Sequence, residues 1–442
     1  MHVNNALLPV FGGPAGRHAR PAGPFFQPLP WVIGAATVLF AVVYLRHLPC
    51  LTSDPNNPIN AYIRLCYSDI SAHYSFMHWS GGVKVLGGDQ LSYAPLVGLL
   101  ITFSVWLGQV LEWRFEEPQH DYVGMAGYFG ATTILLFACF LVLVICSATI
   151  ARKDGRDWDA LALAASPVVL ASGLLSWDLL GLSLTVVAVF QLRGGRYVES
   201  GLVLGLAASA ASWPLVFVVG AVASLALAAR WGELARLFLP LVGILSLVHL
   251  PQIIAHPGSV YAYYRGLVNS RVSYGSVPYL FEIAGLTVRE WGPLLFALAL
   301  ILTGVFLSWL YVSRRRPSAE DISFVVLLIF ALLAPAYPPQ TGLWVVVALF
   351  LCRRVDVLFW VFSGVQVAHY VAVWARLSGH LTLEKSGPEA LYFLAVLVRF
   401  AFELVLLALA IQSLSDSRRA GLESPHSDTA ADVPCAEPVK QV

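Results

Sequence analysis

The sequence predicts an all-α fold, a polytopic transmembrane helical bundle of about 11–13 spans with two long polar loops on one side. Three observations predict it. Of 442 residues 58% are hydrophobic and 12% charged, whereas roughly a quarter of the residues in a soluble protein are charged. Mean hydropathy is +0.73. Apolar runs long enough to cross a bilayer as a helix recur from residue 31 to residue 413, separated by short polar breaks. The formal net charge of +1 comes without any basic tract of the kind that follows a nucleic acid backbone, so nucleic acid is not an expected partner.

Residues 1–30 carry Arg17 and Arg20 among Pro and Gly and lack a small-residue cleavage site, which predicts a cytoplasmic N-terminal tail leading into a retained anchor from Trp31 to Leu48. Further candidate spans are 94–111, 125–151, 158–174, 177–192, 201–230, 235–254, 291–313, 322–336, 341–352, 355–376 and 388–413. The 201–230 stretch reads either as one tilted helix or as two short ones broken at "SWP", because Pro214 cannot donate a backbone hydrogen bond. Residues 31–413 thus form one membrane domain, and 414–442, rich in Ser, Asp, Ala and Pro, are expected to be a disordered cytoplasmic tail.

Lys and Arg concentrate in cytoplasmic loops, so "ARKDGR" (151–156), "RGGR" (193–196), "ARWGELAR" (229–236), "RRRP" (314–317), "RR" (353–354) and "SRR" (417–419) belong inside. The long polar loops 49–93 and 254–290 then face out. This orientation creates a parity conflict: with the N-terminus and "ARKDGR" both inside, segment 94–111 cannot cross, and it is expected to be re-entrant or interfacial.

Ionisable groups at membrane depth are costly and usually retained for a use. The first outer loop holds Asp54, Arg64, Asp69, His73, His78, Lys84 and Asp89; the second holds His256, Arg265, Arg271, Glu282 and Arg289; Asp178, His249, His369, Arg399 and Glu403 lie within or beside spans. Asp69, in the tyrosine-rich "RLCYSDISAHYSF", is either a general base whose pKa partial desolvation raises, or the cap of a short interfacial helix. Asp178 in "SWDLL" also reads as a cap, of the span it begins. Arg399 and Glu403 share a helix face and neutralise each other, or else Arg399 turns inward to an anion. Tyr261, Tyr263, Tyr264 and Arg265 read as interfacial anchors or as a sugar-stacking surface.

Cys139, Cys146 and Cys352 fall in apolar spans as packing residues, and Cys435 lies in the tail. Cys50 and Cys66 share the outer loop, where an oxidising compartment permits a disulfide. No C-x-x-C, H-E-x-x-H or Walker sequence occurs, so neither a metal nor another cofactor is expected. No internal repeat of the kind that marks a secondary transporter is visible.

Across residues 30–413 the segments together resemble the actinobacterial C-type membrane glycosyltransferases, in particular the polyprenol-phosphate-mannose-dependent mannosyltransferases of glycosyltransferase family 87 and their relatives. "LCYSDI" (65–70) is similar to the family's first outer loop, and "YAPLVGLL" (93–100) to the Tyr-Pro segment that follows it. "SWDLLGLSLT" (176–185) resembles an Asn-Trp-Asp segment with Ser176 in place of Asn. "SRVSYGSVPYL" (270–280) is similar to a later Gly-Ser-aromatic loop, and "YPPQTGLW" (337–344) to a Ser-Pro-Gln-x-x-x-Trp segment. Two departures stand out. Ala211 and Trp213 replace the Lys and Tyr of a Lys-x-Tyr-Pro sequence, and Ala334 and Pro335 replace a basic or polar pair.

The resemblance implies a multi-pass plasma-membrane enzyme whose site faces outward. It would pass a sugar, with mannose the expected one, from a polyprenyl-phosphate donor to a glycolipid or glycan acceptor of the cell envelope, with inversion. Asp69 would be the base, and Arg271, Arg265 and Arg64 the candidates for the donor phosphate. Tyr74, His73, Trp79, Asp178, Ser276, Gln340 and Trp344 would shape the sugar or lipid pocket. The rival reading, favoured by the missing Lys, is a catalytically degenerate relative that binds lipid-linked sugar or serves as an envelope-assembly subunit.

Overall fold

The computed structural model describes residues 27–51, 58–76, 93–112, 120–353, 355–382 and 387–422. Among these the chain is helical throughout, without a strand. The helices are α1 (Pro28–His47), α2 (Ile59–Ile63), α3 (Asp69–Phe76), α4 (Pro95–Glu112), α5 (His120–Lys153), α6 (Asp159–Ala164), α7 (Pro167–Ser172), α8 (Asp178–Arg193) and α9 (Tyr197–Ala210). They continue as α10 (Pro214–Leu227), α11 (Trp231–Ala255), α12 (Pro257–Val268), α13 (Val277–Ile283), α14 (Gly292–Val312), α15 (Ala319–Leu332), α16 (Thr341–Cys352), α17 (Val357–Leu377) and α18 (Glu389–Leu422).

Among the described residues six segments are long and apolar enough to cross a membrane: Pro28–Cys50, Gly124–Lys153, Trp231–Ala255, Gly292–Val312, Val357–Leu377 and Glu389–Asp416. The shorter helices α15 and α16 lie at the centre of the bundle, buried almost all round. Apolar side chains on every face, Val325, Leu327, Leu328, Val345, Val346 and Leu349 among them, are what such a position requires. The 201–230 stretch is two helices, because Pro214 opens α10 at its first turn, where its missing N–H costs nothing.

Polar contacts sort the loops onto two ends. At one end Arg193 Nη1 pairs with Asp154 at 2.8 Å and Arg193 also bonds Glu320. Arg156 donates to the carbonyls of Phe350 (2.9 Å) and Arg353 (2.5 Å), and Arg315 to that of Leu414. The predicted basic loops therefore do share one end. At the other end Asp69 N–H donates to Leu175 O (2.8 Å), Tyr370 Oη to Leu65 O (2.9 Å) and Ser273 N–H to Pro335 O (2.9 Å).

Helix α4 starts and finishes at this second end. Gln252 Nε2 donates to Pro95 O at 3.1 Å near its start. Near its finish, a methyl on Gly108 would come within 2.7 Å of the Tyr128 backbone, and the neighbouring Phe129 ring faces Tyr44 and His47 at the end of α1. So α4 packs back along the outer part of α5, an arrangement that a segment which does not cross would have. One expectation is corrected: residues 414–422, assigned to a disordered tail, continue α18 as helix to Leu422.

Candidate functional site

The end opposite the basic loops holds Asp69. Its local structure explains why the carboxylate is free for chemistry. The cap of α3 is Ser68, whose Oγ accepts from Ile70 N–H at 3.2 Å and donates to Leu174 O at 2.5 Å. Asp69 is the first helical residue, and its own N–H goes to Leu175 O. The capping reading of Asp69 thus passes to its neighbour. Asp69 is half-buried as a residue, and its carboxylate accepts a hydrogen bond from the Tyr67 side chain.

Aromatic rings surround it on both sides. Trp374 of α17 stacks on Tyr62 at 5.1 Å and contacts Tyr67 at 5.1 Å, with Tyr62 and Tyr67 5.0 Å apart. Opposite, Tyr93 meets the Trp177 ring edge-on at 5.0 Å and the His73 ring at 5.3 Å. His73 Nδ1 bonds Asp69 O at 2.8 Å. Burial pushes the Asp69 carboxyl up to about 6, against the lowering effects of His73 and the Tyr67 hydrogen bond. The phenols of Tyr62, Tyr67, Tyr93 and Tyr274 are all held above their ordinary range, first by burial and then by the Asp69 charge. Tyr93 Oη has no hydrogen-bond partner among the described residues.

Asp178 lies beside this cluster, close enough for its charge to act on Asp69. It does not cap α8 through its side chain. One oxygen accepts from Trp344 Nε1 at 2.7 Å and the other from Ser176 Oγ. The "SWD" and "YPPQTGLW" segments, far apart in sequence, therefore meet at this carboxylate. Ala211 sits next to the pair: a methyl on Gly181 would touch Ala211 Cβ at 3.0 Å and the Trp344 ring at 3.4 Å.

The loop carrying Tyr274 is tied down by a buried polar network. Tyr337 N–H donates to Tyr274 O (3.1 Å), and Tyr392 Oη accepts from Gly275 N–H (2.9 Å). Arg399 Nη2 donates to Gly275 O (3.2 Å) while Nη1 pairs with Glu403 at 2.7 Å, so the predicted helix-face pair forms. The Arg399 guanidinium lies 3.7 Å from the centre of the Tyr337 ring. Gly275 has φ +80°, and a methyl there would come within 2.1 Å of Tyr337 O, so only glycine permits this approach.

The other predicted site residues are dispersed. Arg265 and Arg271 share an exposed pocket of about 510 Å³ with Tyr261, Asn269 and Glu290, and Arg271 Nε pairs with Glu290 at 3.1 Å. Arg265 is two residues from Tyr263 on α12 and so points away from it, whereas Tyr263 lies within the field of Asp178. Arg64 is exposed after α2. None of the three arginines pairs with Asp69 among the described residues, so the structure does not assemble the expected base-and-phosphate constellation from them.

Tyr74 is buried with its ring stacked on Tyr128 at 5.2 Å, a packing role instead of a pocket one. Ser276 caps α13, accepting from Tyr279 N–H and donating to Pro335 O. Gln340 stands partly accessible just before α16. Trp79, His78, Lys84, Asp54 and Asp89 lie outside the described residues. Cys50 and Cys66 are joined by a disulfide with Cα atoms 5.9 Å apart.

Comparison with protein-family models and with curated proteins gave no match for this chain. Sequence reasoning missed Tyr62, Tyr67, Trp374 and Tyr274 as neighbours of Asp69. The tyrosine-rich composition of residues 62–74 was the available signal; Trp374, on α17, offered none.

Proposed function

We propose that the chain is a membrane glycosyltransferase that moves a sugar, with mannose the first candidate, from a polyprenyl phosphate to an envelope glycolipid or glycan. Asp69 accepts the proton of the attacking hydroxyl. The oxygen forms its bond to the anomeric carbon as the bond from that carbon to the phosphate oxygen breaks, so configuration inverts and polyprenyl phosphate departs. The proton ends on Asp69 and is released to water.

One observation carries this reading: the carboxylate of a half-buried residue, freed from capping by Ser68, with no ion pair to a Lys or Arg among the described residues, and pushed up to about 6 by burial. A base poised near the working pH combines availability with proton affinity. The flanking rings are of the type on which a pyranose packs, and the Tyr93 hydroxyl, buried and without a partner among the described residues, is a hydrogen-bonding group beside the carboxylate left unsatisfied. The end opposite the basic loops is the outer face by the positive-inside rule, which suits a lipid-linked donor.

The test is Asp69→Asn in membranes supplied with labelled polyprenyl-phosphate mannose. Loss of at least ~100-fold in transfer at normal protein level is expected for removal of a general base; unchanged transfer refutes the assignment. Ala211 favours a second reading, a protein that binds lipid-linked sugar without transferring it or acts as an envelope-assembly subunit. A lysine there would stand beside Asp178, where this chain has only a methyl. Donor binding without transfer by the unaltered chain would select that reading.

A further inference from the structure

The basic end contains a cavity that neither the fold nor the proposed reaction uses. It measures about 460 Å³ and is lined by Arg314, Arg315, Arg316, Ser318, Asp321 and Leu414. The three arginines face one acid, and that acid is engaged: Asp321 accepts from Ser318 Oγ at 2.7 Å. The acids Asp356 and Asp416 line the adjacent cavity instead.

Several other arginines at this end are paired. Arg193 pairs with Asp154 and Glu320, Arg156 with Asp154 and Asp159, and Arg230 with Glu233. Arg315 is committed as well, lying over the Trp309 ring at 4.8 Å and donating to Leu414 O, which fastens the loop to α18. Arg314 and Arg316 have no side-chain hydrogen bond or ion pair among the described residues. Arg314 is moreover held at φ +53°, a conformation that favours glycine, at the residue that follows the C-cap of α14. Orientation by positive charge explains basic residues at this end, but needs neither a cavity nor an arginine in that conformation.

Directly beside the cavity the last turn of α14 exposes Tyr311 and Val312 (74% and 79%), and Ile301 and Val305 continue this apolar face along the helix. Unpaired cations therefore sit at the foot of a helix face suited to acyl chains, with Trp309 at the level where aromatic side chains meet headgroups.

We propose that this cavity binds the phosphate of an anionic phospholipid, with Arg314 and Arg316 on the phosphate and the acyl chains along α14. The site is independent of the glycosyl-transfer reading. The full chain in zwitterionic nanodiscs, with and without phosphatidylglycerol, tests it by lipid retention in native mass spectrometry. A juxtamembrane cation contributes roughly five-fold in affinity, so R314Q/R316Q should lower retention of phosphatidylglycerol about 30-fold without changing retention of phosphatidylcholine.

R314G provides a second variant that relieves the backbone. It should unfold at higher temperature in the zwitterionic discs and retain about five-fold less phosphatidylglycerol. Unchanged phosphatidylglycerol retention in both variants overturns the proposal. Displacement of the lipid by millimolar inorganic phosphate would also overturn it, and would make the cavity a free-anion site.

Discussion

Replacing Glu403 by leucine should destabilise the protein more than replacing Glu403 and Arg399 together. Arg399 and Glu403 are 1% and 0% exposed, and their 2.7 Å contact is the main compensation for the guanidinium charge. Removing one partner of a buried pair typically costs about 3–5 kcal/mol. Here Arg399 would keep Gly275 O and the Tyr337 ring, and such a cation–ring contact is worth up to about 2 kcal/mol when desolvated, so the expected loss is near the lower bound, about 3 kcal/mol.

The double variant Arg399→Met/Glu403→Leu leaves no uncompensated charge. Its losses are the hydrogen bonds to Gly275 O and from Gln366, at about 1 kcal/mol each, and the cation–ring contact, which a methionine sulfur on the same ring replaces in part; against these stands the desolvation cost of two buried ions, several kcal/mol, which the double variant no longer bears. Denaturant unfolding of the purified chain in one detergent compares the two. Because Arg399 ties the Tyr274 loop, both variants should also lower sugar transfer. A single variant as mild as the double one, or milder, would refute the buried-pair reasoning.

Reducing the Cys50–Cys66 bond, or replacing Cys66 by alanine, should lower stability by about 3 kcal/mol, since the bridge spans 16 residues; a melting temperature insensitive to reductant would contradict it. Asp69→Asn should raise stability at pH 7 by no more than about 3 kcal/mol. The sign follows from a folded-state pKa raised from 3.8 to about 6: the native state binds the proton more tightly, so the unaltered chain loses stability as pH rises from about 4 through about 6. The asparagine variant lacks that slope, and identical pH profiles would argue against it. For topology, cysteines introduced at Val110 and Asn269 should react with an impermeant reagent from the same side, and one at Arg196 from the opposite side; labelling of 110 and 196 together would show that α4 crosses.

What the sequence revealed was local. The lengths of the apolar runs predicted the helices, the i,i+4 spacing gave the Arg399–Glu403 pair, and Pro214 offered the break between α9 and α10 as one of two readings. Charge parity singled out α4 as the segment expected not to cross. Of the groups around Asp69, Tyr62, Tyr67 and His73 are local in sequence, whereas Tyr93, Tyr274 and Asp178 come from remote segments and were not legible as its neighbours; other contacts at this end are as remote. Trp344 reaches Asp178 across 166 positions and Tyr370 reaches Leu65 across 305. An apolar pattern says which face of a helix is buried, not against which partner. The arginines misled for a related reason. Residue type marked Arg265 and Arg271 as phosphate ligands, but the turn of α12 puts Arg265 on the face away from Tyr263. Of the two readings of Asp69, the cap was removed by Ser68, one residue earlier, whose hydroxyl takes that place.

The most direct test of Asp69 as proton acceptor is the pH dependence of single-turnover transfer from labelled polyprenyl-phosphate mannose. The rate should climb tenfold per pH unit below about 6 and level off above it, while Asp69→Asn stays at background throughout. A rate independent of pH across that range, or an asparagine variant that retains the same profile, would contradict the assignment.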